Sequence, residues 1–360
     1  MNTRKIKKAI KRLLHLPKGK YFWMYATNKA RHFYYKLTKS AKVAYPATVM
    51  IELSSHCNLH CTTCPREYDY GKSMFKGYMP IENAKKIIDE LWPYLDSIGL
   101  TGMGETLLYK DLEEVVDYIK SKNSGIIISL STNAMIPDFI EKVRPLIGKV
   151  DTIQVSIDGM GEVYESIRLN AHFATLDNNI RSLTQIFAET DTVFMLNMVV
   201  TIENYMQMAD IVTYAAYMGI QYVNFTLFNL AAVTNESVRY YDFYHTSPFI
   251  EAFKKLDLKK IETKSVKVTH WDFSSKNEFR KCLLPWTHFP ICSDGYIPPC
   301  CAKPFPKELN FGNVFENGVM PILNSKSFLD FRQLWYKNRT PLFCEKCHYV
   351  ELKPIDYSGL

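Results

Sequence analysis

Between residues 47 and 230 the chain alternates short apolar runs with longer stretches whose apolar residues recur every three or four positions. Short runs rich in β-branched residues predict buried strands, and the longer spacing predicts amphipathic helices. The predicted strands cover residues 48–53, 97–101, 126–131, 151–157, 193–200 and 221–228. The predicted helices cover residues 81–95, 111–122, 137–147, 174–189 and 204–218.

Strands separated by helices imply right-handed βαβ units and a parallel sheet. Pro80 and Pro137 stand where the first turns of two helices would begin, and Asn204 is placed to cap a third. Six strands are too few for a closed eight-stranded barrel, so the pattern predicts an α/β fold with a partial (β/α)6 TIM-like barrel. In such barrels the chemistry lies on the loops that follow the strands.

The alternation stops near residue 230, which divides the chain into four predicted parts. Residues 1–46 form a basic and aromatic N-terminal extension, and residues 47–230 form the barrel core. Residues 231–275 form a bridge, and residues 276–360 form a small, loop-rich domain. This last part contains six of the nine cysteines, among many prolines and glycines, which favours a domain organised around a metal centre.

Composition and charge narrow the class of protein. No apolar run reaches the roughly 18 residues that span a bilayer, and the N-terminus is too polar for a signal peptide, so we expect a cytoplasmic protein. Cysteines in such a chain favour metal or redox chemistry over disulfides. The net charge of +7 has a local origin: residues 1–42 hold 13 Lys and Arg, and the first acid is Glu52.

This basic N-terminal segment allows two interpretations. Residues 4–15 predict a short amphipathic helix, and residues 21–38 add aromatic side chains among basic ones. Residues 1–40 could lie on an anionic membrane surface, which would place the protein at the inner face of the membrane. Alternatively, the segment packs against the main domain with its lysines in water. Basic and aromatic composition alone does not indicate nucleic acid, and we expect none.

Cys57, Cys61 and Cys64 follow the first strand directly. Three thiolates on one short loop can hold three irons of a [4Fe–4S] cube and leave the fourth iron open to a ligand. A structural zinc site needs four ligands, and His56 or His60 could supply the fourth, so zinc is the alternative. The position of the loop, after the first strand of a barrel, favours the cluster.

The C-x3-C-x2-C spacing, with motifs after later strands, resembles the radical SAM superfamily, whose members cleave S-adenosylmethionine (SAM). Residues 102–105, Gly-Met-Gly-Glu, resemble the family's Gly-Gly-Glu motif, and residues 131–133 end the third strand as in many members. Residues 155–159, followed by Arg168, resemble the fourth-strand segment. At the position before the third cysteine, which is often aromatic in the family, this chain has Thr63.

The resemblance implies a role for each matching residue. Gly102, Gly104 and Glu105 would hold the SAM amino group, and Ser156 would contact SAM. Arg168 would pair with the SAM carboxylate, while Asn197 and Val200 would line the adenosine pocket. An external one-electron donor, such as flavodoxin or ferredoxin, would supply the electron for reductive cleavage, and the resulting 5′-deoxyadenosyl radical would take a hydrogen atom from the substrate.

The C-terminal cysteines resemble the SPASM or shorter twitch extension of these enzymes. That resemblance implies one auxiliary [4Fe–4S] cluster with Cys282, Cys300, Cys344 and Cys347 as its ligands. Zinc held by the same four residues is the alternative. Cys292 and Cys301 are left over. Asp294 is a candidate general acid or base, although its Asp-Gly pair is first of all a turn signal.

Three functions are open at this point. The first is a radical SAM oxidoreductase that oxidises or rearranges a small molecule such as a sugar, aminocyclitol or alcohol. The second is a SPASM-type maturase that modifies a peptide or protein. Residues 1–46 are too short for the winged-helix module that often binds leader peptides, which favours the small molecule. The third is a non-catalytic zinc-binding module.

Overall fold

A computed structural model describes residues 15–228, 242–270 and 282–345, together with Cys347 and Val350. The predicted basic helix over residues 4–15 lies outside this part of the chain except for His15. Parts of the predicted bridge and of the C-terminal domain also lie outside it. The predicted division into four domains stays a prediction.

All six predicted strands are present, which confirms the parallel α/β class. Two short strands and two edge strands were not predicted. In chain order the ten strands are β1 (Thr48–Ile51), β2 (His60–Cys61), β3 (Ser97–Leu100), β4 (Ile127–Thr132), β5 (Thr152–Ser156), β6 (Arg168–Leu169), β7 (Val193–Val200), β8 (Tyr222–Leu227), β9 (Lys267–Thr269) and β10 (Phe289–Ile291).

The predicted helices are also present, several of them shorter than expected or continued by a 3-10 turn. The α-helices are Lys20–Leu37, Asp69–Lys72, Ile81–Leu91, Leu112–Lys122, Phe139–Val143, Glu162–Ile167, Phe173–Ile186, Met208–Tyr217, Ser247–Glu262, Leu284–Thr287, Val314–Asn317, Val319–Leu323 and Lys326–Tyr336. The 3-10 turns are Pro65–Glu67, Thr106–Leu108, Arg144–Leu146, Tyr205–Gln207 and Leu342–Cys344. Among the described residues, no helix combines the length and the apolar character needed to cross a membrane.

The chain forms two compact units. The first contains the described residues of Met1–His56, Phe75–Leu130 and Leu283–Pro341. Its strands run parallel in the order β10-β1-β3-β4. Val49 and Ile51 of β1 are buried, while Met50 between them is half-buried. Strand β10 follows Cys282, so the sequence after the bridge contributes a strand to the same sheet as β1.

The second unit contains the described residues of Cys57–Met74, Ser131–Cys282 and Leu342–Leu360. Its strands run parallel in the order β5-β7-β8-β9, and β9 lies in the segment predicted as a bridge. Asn204 precedes a 3-10 turn, but its side chain makes no cap. Instead its amide donates to the carbonyls of Asp158 and Val199. The prediction of a helix-capping side chain is therefore wrong, because the Asn204 side chain instead forms hydrogen bonds to backbone carbonyls at the ends of two strands.

A buried arginine holds several segments of the first unit together. Arg332 is fully buried and donates to the carbonyl oxygens of Pro285 and Leu323 at 2.8 and 2.6 Å, and to that of Ala41 at 3.3 Å. Its guanidinium lies 3.7 Å from the centre of the Phe328 ring. A planar fork with several fixed donors suits three separate carbonyls, and an ammonium group would not.

We expect Arg332→Met to lower the free energy of unfolding by about 3 kcal/mol, because two buried carbonyls and one half-buried carbonyl lose their donor. The thermal midpoint of the iron-loaded protein measures this change. The exposed Arg144→Met is the matched control and should leave the midpoint unchanged. Equal midpoints for the two variants would contradict this role of Arg332.

Candidate functional site

The loop after β3 is the first part of the candidate site, and it lies wholly in the first unit. The backbone N–H of Glu105 donates to the carbonyl oxygen of His56 at 2.7 Å. The carboxylate of Glu105 accepts from the N–H of Leu107, so this acid caps the turn Thr106–Leu108. Glu105 is 2% exposed. The structure thus places the predicted ammonium-binding acid at the start of a turn, which it caps.

Glycine is required at both predicted positions of this loop. A Cβ at Gly104 would collide with the carbonyl oxygens of Ser54 and His56. A Cβ at Gly102 would collide with the side chain of Glu52. Both positions let two stretches of chain approach more closely than a side chain allows. This close approach fits the binding loop for the SAM amino group that the family motif implies.

Glu52, at the end of β1, is a residue that the sequence analysis did not identify as part of the site. It is 5% exposed and accepts three hydrogen bonds. The N–H of Met103 donates to Oε1 at 2.6 Å, and the N–H and hydroxyl of Ser293 both donate to Oε2 at 3.0 Å. Burial raises the pKa of this carboxyl, although the three hydrogen bonds oppose the shift. An acid inside a buried apolar strand was the signal that could have revealed it.

A cavity of about 50 Å³ lies beside Glu52 in the first unit. Cys292 and Cys301, the two cysteines left without a predicted role, both line it. Burial raises the pKa of the Cys292 thiol well above its usual value, so this side chain is a neutral thiol. The predicted auxiliary ligand Cys300 is buried, while its neighbour Cys301 is half-buried. The two adjacent cysteines thus differ in environment, as expected for an extended segment.

In the second unit, the loop with Cys57, Cys61 and Cys64 is held by short backbone pairings. Strand β2 pairs antiparallel with β6, which sets Cys61 opposite Arg168. The N–H of Cys64 donates to the carbonyl of Cys61 at 3.0 Å. The amide of Asn133 lies 3.6 Å from the sulfur of Cys57 and also donates to Asn58. The loop is therefore shaped by the protein's own hydrogen bonds.

Two of the three predicted cluster ligands have raised thiol pKa values. Burial raises the pKa of Cys61 to about 12 and that of Cys64 to about 11, and the neighbouring thiols add to both shifts. Without iron these groups are protonated, so cluster binding must release protons. Within the described ranges there is no group of three or more His, Cys, Asp or Glu side chains placed to hold a metal ion.

Arg168 forms a buried ion pair. Its Nη2 lies 2.8 Å from Oδ2 of Asp158, which is completely buried, and the other oxygen of Asp158 accepts from the N–H of Val199. The Nε of Arg168 is buried and makes no hydrogen bond with any described residue. This remaining donor fits the carboxylate that the family motif assigns to Arg168. Asp158 itself was missed by the sequence analysis, although it lies within the matched segment.

Polar side chains cross the four strands of the second unit in one row. Ser156 and Asn197, both predicted site residues, are register partners on β5 and β7. Asn224 on β8 donates to Asn197 at 2.7 Å and accepts from Thr269 on β9. Asn224 and Thr269 were not predicted. They show that the polar surface continues across the sheet to its last strand.

Asp294 and the remaining cysteines complete the predicted set. The side chain of Asp294 accepts weakly from the N–H of Tyr296 at 3.4 Å, and Gly295 has a φ of +87°. Burial raises the pKa of Asp294. This geometry is that of an Asp-Gly turn, and an acid–base role stays a prediction. Cys282 is half-buried, and Cys344 and Cys347 are buried, with the N–H of Cys347 donating to the carbonyl of Cys344.

Comparisons with known proteins match both parts of the chain. The profile of the radical SAM superfamily matches residues 51–215, and that of the SPASM iron–sulfur cluster-binding domain matches residues 282–348. The tungsten-containing aldehyde ferredoxin oxidoreductase cofactor-modifying protein of Pyrococcus furiosus is 25% identical over 86% of this chain and 91% of its own length. The antilisterial bacteriocin subtilosin biosynthesis protein AlbA of Bacillus subtilis is 23% identical, over 89% and 68%.

Solved structures share the fold. SuiB of Streptococcus suis, bound to its precursor peptide SuiA, has a TM-score of 0.64 and 16% identity, covering 91% of this chain and 75% of that one. The structure of anSMEcpe with bound AdoMet has a TM-score of 0.63 and 18% identity, covering 85% of this chain and 84% of that one. These similarities confirm the partial barrel with a C-terminal domain.

The buried carboxylate of Glu52 generates the next prediction. Because its pKa is raised above 4.5 in the folded chain, the fold binds a proton more tightly than the unfolded chain does. The free energy of unfolding should therefore fall as pH rises from about 4.5 through the folded pKa. Glu52→Gln should remove this slope, and Glu52→Ala should cost about 3 kcal/mol because three donors lose their acceptor.

Urea unfolding at a series of pH values measures the effect of Glu52. The exposed Glu82→Gln is the control and should keep the native slope. If Glu52→Gln kept the same slope as the native protein, Glu52 would not be the titrating group.

Gly104→Ala should lower the affinity for SAM at least tenfold, because the added methyl group displaces the loop from the carbonyls of Ser54 and His56. Calorimetric titration of SAM into the iron-loaded protein measures this loss. Gly99→Ala on β3 is the control, since its Cβ would meet ordinary contacts at 3.6 Å or more. Similar affinities in both variants would show that the loop tolerates the methyl group.

Proposed function

This chain belongs to the radical SAM superfamily and carries the SPASM iron–sulfur domain, and from that premise we propose that it is a maturase that modifies a peptide or protein. It is a radical SAM enzyme, and its cofactors are a SAM-binding [4Fe–4S] cluster, auxiliary iron–sulfur and SAM. With one electron from an external donor such as flavodoxin or ferredoxin, the cluster and SAM would supply a 5′-deoxyadenosyl radical, with methionine as the leaving group, for hydrogen-atom abstraction.

The chain's own residues have distinct tasks in this proposal. Cys57, Cys61 and Cys64 hold the SAM-binding cluster. In the first unit, the tightly seated Gly102–Glu105 loop offers a buried carboxylate to the SAM ammonium, a charge-assisted contact. In the second unit, the Nε of Arg168 offers a donor to the SAM carboxylate, while Asp158 fixes the guanidinium. Ser156 and Asn197 belong to the polar row that would face SAM.

Cys282, Cys300, Cys344 and Cys347 hold one auxiliary cluster in this proposal. Burial of three of the four supports it, because a cluster must be shielded from water to keep its potential and its sulfides. Asp294 is the proposed proton acceptor. Its half-buried position and raised pKa suit a group that exchanges a proton with substrate.

The observation that carries the substrate class is the alignment with the bacteriocin biosynthesis protein AlbA over 89% of this chain. That alignment includes both the barrel and the cysteine-rich domain. The peptide maturase therefore replaces the small-molecule oxidoreductase as the main proposal.

One relative keeps the small-molecule class as a second candidate. The Pyrococcus furiosus protein, aligned over 86% of this chain, is described as modifying a cofactor. The two candidates share the radical chemistry and differ only in the group that gives up its hydrogen atom.

Substitution of Cys57, Cys61 and Cys64 by alanine should remove about four irons per chain and abolish SAM cleavage, because one cube is lost. Iron analysis and 5′-deoxyadenosine formation under anaerobic, reducing conditions measure both. The protein with these cysteines intact should bind about eight irons if it has one auxiliary cluster. Cleavage that survives the triple substitution would overturn the catalytic assignment.

Transfer of deuterium to 5′-deoxyadenosine tests the substrate class. Extract from the source organism grown in heavy water is divided by ultrafiltration into peptide-containing and small-molecule fractions, and each is added to the reduced enzyme with SAM. We expect transfer from the peptide fraction, lost after protease treatment of that fraction. Transfer from the small-molecule fraction alone would favour cofactor or metabolite modification.

A further inference from the structure

Among the described residues, the hydrogen bonds that fix the helix Lys20–Leu37 to the first unit come from one side of the helix. Asn28 is 1% exposed and exchanges two hydrogen bonds with the backbone of Tyr45, at 2.9 and 3.0 Å. Tyr25 and Lys29 reach the two carboxylate oxygens of Asp96 at 2.9 and 2.6 Å. These contacts fix the rotation of the helix about its axis. They therefore also determine which side chains face away from the first unit.

That opposite side is apolar and exposed. At 3.6 residues per turn, its five large side chains fall within an arc of about 120°. Ala26 and Ala30 lie in the middle of the same arc. The five are Phe22, Trp23, Phe33, Tyr34 and Leu37, with exposures of 39%, 68%, 70%, 59% and 71%. We call them the aromatic face. A contiguous exposed patch of this kind marks an interaction surface.

The charge around the aromatic face has one sign. Lys20, Arg31, Lys36 and Lys39 are exposed on the same helix or directly after it. Residues 1–42 hold 13 basic residues and no acid. An apolar face bordered by lysine and arginine is typical of helices that lie in the headgroup region of an anionic bilayer. The aromatic rings suit that region because they combine an apolar body with, in Trp and Tyr, a polar edge.

We propose that the aromatic face docks the protein onto an anionic lipid surface. The rings enter the headgroup region, and the neighbouring lysines and arginine contact lipid phosphates. A second copy of the chain is a poorer occupant, because pairing two aromatic faces would bring two wholly basic borders together. This proposal is independent of the substrate class, since the helix contributes none of the proposed site residues.

Sedimentation of the full-length protein with vesicles tests the proposal. Vesicles of phosphatidylcholine with phosphatidylglycerol should bind the protein, and phosphatidylcholine alone should bind it at least tenfold more weakly. The double variant Trp23→Ser with Leu37→Ser should reduce binding to the anionic vesicles about tenfold. Leu258→Ser with Ile261→Ser is the matched control, because these side chains are 62% and 69% exposed on another helix, and it should bind normally.

Three results would overturn the proposal. The first is unchanged vesicle binding by the Trp23 and Leu37 variant. The second is an equal loss of vesicle binding in the control variant, which would indicate nonspecific adsorption through exposed apolar side chains. The third is a dimer in sedimentation velocity that this variant abolishes, with no vesicle binding by the native protein. SAM cleavage in solution should be unchanged in both variants, so failure of docking is distinguishable from failure of the enzyme.

Discussion

The first unit depends on a carboxylate placed where a barrel strand ends. Glu52 stands at the end of central strand β1 and accepts from the backbone of Met103, after β3, and of Ser293, after β10. Loops at the carboxyl ends of parallel strands expose N–H groups that the sheet cannot pair. One buried acid satisfies two such loops at once and fixes their separation. The Gly102–Glu105 loop owes its position to this contact and to the lack of side chains on Gly102 and Gly104.

In the second unit a different acid accepts a hydrogen bond from the backbone near the strand ends. Asp158 follows β5 and accepts from the N–H of Val199 on β7, while its other oxygen pairs with Arg168. The amide of Asn204 then donates to the carbonyls of Asp158 and Val199. A buried charge is costly unless it is paired and hydrogen-bonded, and both conditions hold here. The result orients Arg168 and leaves its buried Nε without a hydrogen bond to any described residue.

The substrate class cannot be inferred from the sequence motifs of this chain. The cysteine spacing and the residues after successive strands define the radical chemistry, because that chemistry belongs to the cofactor. The group that gives up a hydrogen atom is recognised by shape and by loops that carry no fixed motif. The proposal of a peptide substrate therefore rests on the alignment with a bacteriocin biosynthesis protein and on no motif of this chain. The aromatic face on Lys20–Leu37 gives the N-terminal segment a separate task, at a lipid surface.

The sequence by itself determined the parallel α/β class, the six core strands, the loops that carry Cys57 and Gly104, and the strand end that carries Ser156. These features follow from the spacing of apolar residues along the chain and from short motifs, and both can be read from contiguous residues. Only the tertiary structure decided that Glu52 and Asp158 tie strand ends together, that Asn224 extends the polar row, and that β10 joins β1. Those outcomes depend on residues as much as 241 positions apart, as between Glu52 and Ser293, and no local pattern encodes such a pairing. The same limit explains Asn204, since its local signal predicted a helix cap and the distant Asp158 carbonyl decided its partner.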